Sequence, residues 1–150
     1  MKNIIVTIDF YDNYRVLLEQ AKIYAQALAS KIWLIHIAAP EPDFIGYQTG
    51  PQTERDHVAN RLREEHRKLQ TMAEDLRHQG IETTALLIQG ATVNTILEQT
   101  QKLAADLIIV GSHRRTGLSK ILQGSVSQSI LDHAPCPVLV VPHDVNQGRE

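Results

Sequence analysis

Two apolar rhythms alternate along the chain. Short runs rich in β-branched residues occur at Ile4–Ile8, Ile32–Ile37, Thr84–Ile88, Leu107–Val110 and Val138–Val141. Their apolar residues follow one another directly, as in strands that are covered on both faces. Between them, apolar residues recur at helical spacing. One stripe is Leu17, Ala21, Tyr24, Ala25 and Leu28, and a second is Val58, Leu62, Leu69, Met72, Ala73 and Leu76. A third comprises Val93, Ile96, Leu97, Thr100 and Leu103, and a shorter fourth Val126, Ile130 and Ala134. The alternation predicts an α/β fold: an open parallel sheet with right-handed crossovers and helices on both faces.

Punctuation supports this order. Gly80 follows the second stripe and reads as a helix C-terminal glycine. Gly90 separates the third strand from its helix, and Pro135 and Pro137 end the fourth helix and lead into the last strand. The stretch from Ala39 to Gln52 is rich in proline and glycine, carries Phe44 and Tyr47, and reads as the one long irregular connection. Its role is open between a lid over a ligand and a simply disordered segment. The charges from Glu54 to Lys68 carry both signs and read as the solvated face of the second helix, with Glu64 and Lys68 spaced for an i,i+4 pair.

Bulk properties narrow the function classes. At 150 residues the chain fits a single domain, with a core expected over about residues 2–143 and a short tail. A net charge of −2 offers no basic surplus for nucleic acid, and no apolar run approaches the ~20 residues that span a bilayer. Met1-Lys2-Asn3 runs straight into a strand without the layout of a secretory signal, so the expected location is the cytoplasm. The one cysteine, Cys136, excludes an internal disulfide and reads as a small core residue.

In open α/β sheets, ligands bind beyond the carboxyl ends of the strands, where the strand order reverses. Asp9 ends the first strand there. Its carboxylate is suited either to ribose hydroxyls or an adenine amino group, or to capping the first helix. After the fourth strand comes Gly111-Ser112-His113-Arg114-Arg115-Thr116-Gly117, followed by Gly124-Ser125-Val126. Gly111 can turn sharply at the strand end and let a ligand approach the backbone closely. Ser125 is placed to cap the fourth helix, whose first N–H groups suit an anion. Gly124-Ser125 alone needs no more than a helix start; Gly111 and Gly117 beside it favour a phosphate loop. His36, within an apolar strand beside Trp33, reads as a core histidine with one hydrogen-bonded nitrogen, whereas His113 reads as a ligand neighbour.

Taken with the tail His133-Ala134-Pro135-Cys136-Pro137-Val138-Leu139-Val140-Val141-Pro142, these motifs resemble the universal stress protein family over almost the whole chain. The resemblance implies a Rossmann-like fold of the adenine nucleotide alpha hydrolase kind, with five parallel strands in the order 3-2-1-4-5. The nucleotide-binding branch carries Gly-x-x-Gly, nine residues, then Gly with Ser or Thr. Gly111, Gly124 and Ser125 match that spacing, but Arg114 stands at the second glycine.

By resemblance, Asp9 and Ile37 meet adenosine, while Gly111, Gly124, Ser125 and Val126 hold ribose and phosphates of ATP, ADP or AMP, with or without Mg. Arg114 leaves three readings open. It strains or shifts the loop, fills the phosphate site, or binds the phosphates itself through charge-assisted bonds.

Two functions follow as expectations. One is a cytoplasmic stress-response protein that binds an adenine nucleotide and signals to a protein partner as a dimer. The other is a dimeric interaction module in which Arg114 disables the loop. In the family's order Val138–Val141 is an edge strand, and the family pairs such edges in a two-fold homodimer.

Enzyme readings have little support. A dinucleotide fingerprint is missing after Asp9, a Walker lysine is absent, and Gln89-Gly90 stand where a phosphorelay receiver needs aspartate. Any ATP hydrolysis is expected to be weak.

Overall fold

The structure, a computed structural model, describes residues 2–10, 14–38, 52–112 and 128–142. The elements follow the expected alternation: β1 (Asn3–Thr7), α1 (Tyr14–Leu28), β2 (Lys31–Ala38), α2 (Gln52–His78), β3 (Thr83–Gln89), α3 (Thr92–Lys102), β4 (Leu107–Gly111) and β5 (Val138–Val141). Helical turns at 128–133, α4, precede β5. The strands form one five-stranded sheet in the order β3-β2-β1-β4-β5, and every neighbouring pair is parallel.

The continuous apolar runs have the meaning assigned to them. Ile4, Ile5 and Val6 of the central strand are wholly buried. Ile4 and Val6 pack with Leu17, Ala21 and Ala25 of α1 and Leu69, Ala73 and Leu76 of α2. Ile5 packs on the other face with Ile96 of α3 and Ile130 of α4. Covering both faces removes Ile4, Ile5 and Val6 from water, and the polar residues of β1, Asn3 and Thr7, stand only at its half-buried ends.

Two sequence expectations need correction. Tyr24 and Leu28 belong to the first stripe by spacing, yet both are exposed, as is Ile23. Contact with the sheet runs along the small residues Ala21 and Ala25, which seat the helix closely and leave only a narrow line covered; Leu28 is the last helical residue. Glu64 and Lys68 do not pair either, because the Lys68 ammonium lies 5.9 Å from the centre of the Phe10 ring.

The strand starts are tied by polar contacts. Asp106 accepts the backbone N–H groups of Lys2 and Asn3, at 2.8 and 3.0 Å. The Asn3 bond, then that of Lys2, holds its carboxyl below the usual carboxylate range. Trp33 donates its indole N–H to Asn3 Oδ1 at 3.1 Å, and the Lys31 ammonium sits 3.8 Å over the Trp33 ring. Cys136 is half-buried among the residues under α3 and α4, and burial, with the charge of Asp106, pushes its thiol up. That suppresses the reactive thiolate, in keeping with a core role.

Helix ends share one device. After α2, Gly80 takes φ +85°, its N–H donates to Arg77 O at 2.9 Å, and the Ile81 N–H donates to Leu76 O at 3.0 Å. These are the paired bonds of a Schellman cap, with Leu76 and Ile81 buried together. Helices α1 and α3 end with the same long-reaching bonds, Ser30 N–H to Ala25 O and Ala105 N–H to Thr100 O, both at 3.0 Å. Alanine occupies their left-handed position: Ala29 has φ 50° and Ala104 φ 51°. Gly90 is required for a different reason, since a Cβ there would meet Thr95 Oγ1 at 2.5 Å. No described helix is long and apolar enough to cross a membrane.

A left-handed alanine costs about 1–2 kcal/mol, partly offset by the greater unfolded-state freedom of glycine. Ala29→Gly and Ala104→Gly are therefore each expected to stabilise the protein by about 0.5–1 kcal/mol, measured by urea unfolding. A loss of stability in both would contradict the cap assignment.

Candidate functional site

The chain leaves β1 for β2 and β3 on one side, then crosses to β4 and β5 on the other. The order therefore reverses between β1 and β4, and their carboxyl ends diverge there. Val6 pairs with Ile109, so Asp9, three residues on, and Gly111, two residues on, lie beyond the last pair on either side of this gap. Ile37 reaches the same end of the sheet, paired with Ile88 of β3 and packed on the α3–α4 side.

Gly111 differs from its sequence reading. It is the last residue of β4, paired with Val141, and Gly80, not Gly111, is the described glycine with positive φ. No tight turn demands it. Its distinction is space: an added Cβ would find no atom within 4 Å. A ligand can approach this backbone closely, which fits the anion-binding expectation. The next N–H is already used, since Ser112 donates to Val141 O at 2.8 Å. Strand β5 thus sets where the loop begins.

Of the residues named from the sequence, the structure brings Asp9, Ile37 and Gly111 to one end of the sheet. His113, Arg114, Gly117, Gly124, Ser125 and Val126 lie outside the described residues, as does nearly all of the connection from Ala39 to Gln52.

A polar cluster beside this end went unrecognised in the sequence. His36, 8% exposed, places Nδ1 2.7 Å from the carbonyl oxygen of Ile8. A carbonyl only accepts, so Nδ1 carries a proton. The core reading of His36 with one hydrogen-bonded nitrogen holds. Its other nitrogen, Nε2, faces Glu65 Oε1 at 3.6 Å, and the two side chains are 10% and 14% exposed. Phe10 sets its ring edge-on against the imidazole at 4.8 Å between centroids, and against Tyr14 at 6.2 Å.

Glu65 is therefore not part of the solvated face. The signal was its spacing: Leu62, Glu65, Leu69, Met72 and Leu76 follow helical steps, so the carboxylate sits on the apolar stripe.

Comparison with known proteins places this geometry. The chain matches the universal stress protein family over residues 1–142. The chain belongs to that family. Universal stress protein MJ0531 of Methanocaldococcus jannaschii is 33% identical over 147 residues, covering 93% of this chain and 81% of the relative. A universal stress protein of Thermus aquaticus is 30% identical over 141 residues, covering 93% and 98%. Among solved structures, MJ0577 of M. jannaschii superposes with a TM-score of 0.74 at 26% identity, covering 94% of this chain and 95% of that one. The sheet order of this universal stress protein is the one expected from the resemblance.

Proposed function

We propose that this universal stress protein binds an adenine nucleotide where β1 and β4 diverge, and acts as a dimeric signalling module in the cytoplasm. The observation that carries the reading is the open space at Gly111, across the gap from Asp9 and level with the end of β2. An anion at this place can approach peptide N–H groups closely, and the neighbouring carboxylate suits ribose or adenine. Three proteins of the same fold support it. They are a universal stress protein in complex with cAMP, one from Archaeoglobus fulgidus with dAMP, and one from Arabidopsis thaliana with AMP bound. At 16–19% identity and TM-scores of 0.62–0.65 they share the fold, and their ligands supply the nucleotide class.

In this reading Ile37 lies against the base, and Asp9 meets the adenosine part. Gly111, Gly117, Gly124, Ser125 and Val126 cradle the phosphates, with His113 as a neighbour. Arg114 adds charge-assisted bonds to the phosphates in place of the backbone contacts that a glycine would allow. Whether the chain prefers ATP with magnesium or AMP follows from how many phosphates that arginine reaches. The task of the protein is then to report nucleotide state to a partner, with any turnover slow.

The dimer surface in this proposal is β5. It pairs with β4 on one side, ends the sheet on the other, and its Val140 is exposed, with Leu131 of α4 exposed on the same face of the sheet. An apolar strand edge invites pairing with a second copy.

Isothermal titration with AMP, and with ATP plus magnesium, tests the site. Saturable micromolar binding is expected. Gly111→Ala, which meets no protein atom, should keep the unfolding midpoint but weaken binding about tenfold, a loss near 1.4 kcal/mol. Absence of binding at millimolar nucleotide would leave the interaction module with a disabled loop as the correct reading. For the dimer, Val140→Lys is expected to shift sedimentation toward monomer; an unchanged dimer would place the interface elsewhere.

A further inference from the structure

Among the described residues, five polar side chains are buried: Ser30, His36, Thr83, Thr95 and Thr100. Four of them bond a backbone carbonyl. Ser30 donates to Leu28 O at 3.4 Å, Thr83 to Ile81 O at 3.0 Å, Thr100 to Ile96 O at 2.7 Å, and His36 Nδ1 to Ile8 O at 2.7 Å. Thr95 is the exception. It is 8% exposed, yet its hydroxyl has no hydrogen-bond partner among the described residues. Thr71 and Thr100 use the carbonyl one helical turn back, whereas Thr95 leaves the corresponding Ala91 O to its own backbone N–H, at 2.9 Å. A buried hydroxyl left in this state costs free energy, so its direction carries information.

The sheet offers this hydroxyl nothing. Val93 and Ile96, on either side of it in the helix, pack with the apolar Ile37 and Ile88, and the backbones of β2 and β3 pair with each other from Ile32–Thr83 to Ala38–Gln89. Helical side chains lean toward the N-terminus of their helix. Accordingly, Thr95 Oγ1 lies 2.5 Å from the place that a Cβ on Gly90 would occupy. Gly90 directly precedes Ala91, the N-cap residue of α3. Glycine at 90 therefore lets the hydroxyl stand over the turn that opens the helix.

That turn lacks the usual cap. Ala91 has extended backbone angles, φ −72° and ψ 129°, but no side-chain oxygen, and no side chain caps the helix. Nor does an acidic residue stand in the first turn. The N–H groups of Thr92, Val93 and Asn94 thus present the positive end of an 11-residue helix dipole, with the unpartnered Thr95 hydroxyl beside them.

The Gly90 N–H donates to Ala38 O at 3.3 Å, which ties the turn to the end of β2. It opens on the carboxyl end of the sheet, at the β3 margin. At ~4.8 Å between neighbouring strands, β3 stands about 10 Å from β1 and about 14 Å from β4. A phosphate resting at Gly111 does not reach it, so the two positions are separate.

We propose that the N-terminal turn of α3 is a second anion site: it binds a phosphate group through the N–H groups of Thr92, Val93 and Asn94 and the Thr95 hydroxyl. The proposal does not rest on the nucleotide reading. A tetrahedral oxyanion offers an acceptor lone pair to every donor at the turn, the buried hydroxyl included. The donor set includes no charged side chain, and binding in the millimolar range is expected.

Amide chemical-shift titration with inorganic phosphate, set against sodium chloride at equal ionic strength, tests the site. Saturable shifts of the Thr92, Val93 and Asn94 amides are expected. Thr95→Val keeps the shape of the side chain and removes the hydroxyl. It should raise the urea midpoint of unfolding, because a buried polar group without a partner is lost, and weaken phosphate binding about fivefold. Ala91→Asp puts a carboxylate over the same N–H groups; it should raise the midpoint as well and abolish the phosphate shifts. Shifts no larger than those caused by sodium chloride would overturn the proposal. So would a Thr95→Val variant that unfolds at lower urea or binds phosphate as tightly as the wild type.

AMP identifies the carrier of the phosphate. If AMP moves the same three amides, the turn takes a phosphate monoester; if inorganic phosphate alone moves them, it takes the free ion. Shifts at Gly111 and Ser112 report the nucleotide site separately, so failure of that reading leaves this test intact.

Discussion

Burial of β1 on both faces is the constraint from which the rest follows. Ile4, Ile5 and Val6 have no exposed surface, and their backbone groups are shared between β2 on one side and β4 on the other. A strand in that position needs a helix layer above and another below, and its fully covered central residues must be apolar. It also fixes where the chain reverses its path through the sheet. The place where β1 and β4 part is consequently the one point along the sheet where a ligand can rest against strand ends without displacing a crossover helix.

The energetics of the site edge follow from this. Beyond the buried stretch the strands run out of ladder partners one at a time, and other bonds take over. On the β1 side the Ile8 carbonyl is met by a buried imidazole; on the β4 side the Ser112 N–H is met by β5. Each end of the gap is thereby held by a neighbouring element, so the gap is built before any ligand arrives. Preorganisation of this kind lowers the ordering cost of binding. Its counterpart is that changes in those neighbours, β2 on one side and the edge strand β5 on the other, act on the gap without touching a ligand.

Much of this was legible in the residues. Unbroken β-branched runs marked every strand, and Val138–Val141 coincided with β5 residue for residue. The first strand was placed one residue late, because Ile8 is as apolar as its neighbours and still donates one bond to β2 after the strand ends. Gly80 announced its helix end, but Ala29 and Ala104 take the same left-handed conformation without a glycine to signal it. Tertiary packing, not local preference, forces those two.

The site was half legible for a similar reason. Asp9 and Gly111 stood out as polar and small residues at the ends of apolar runs. Glu65 hid within a charged segment, where only its helical phase distinguished it from solvated neighbours. Gly111 was noticed for the right property, its lack of a side chain, but for a turn that β4 does not make.

The central claim is the location of the ligand, and amide chemical-shift mapping with AMP tests it most directly. The account predicts that the perturbed amides cluster at Asp9, Ile37, Ala38, Gly111 and Ser112, at the carboxyl end of the sheet. Perturbations gathered instead at Lys31, Glu82 and Asp106, at the opposite end, would contradict it.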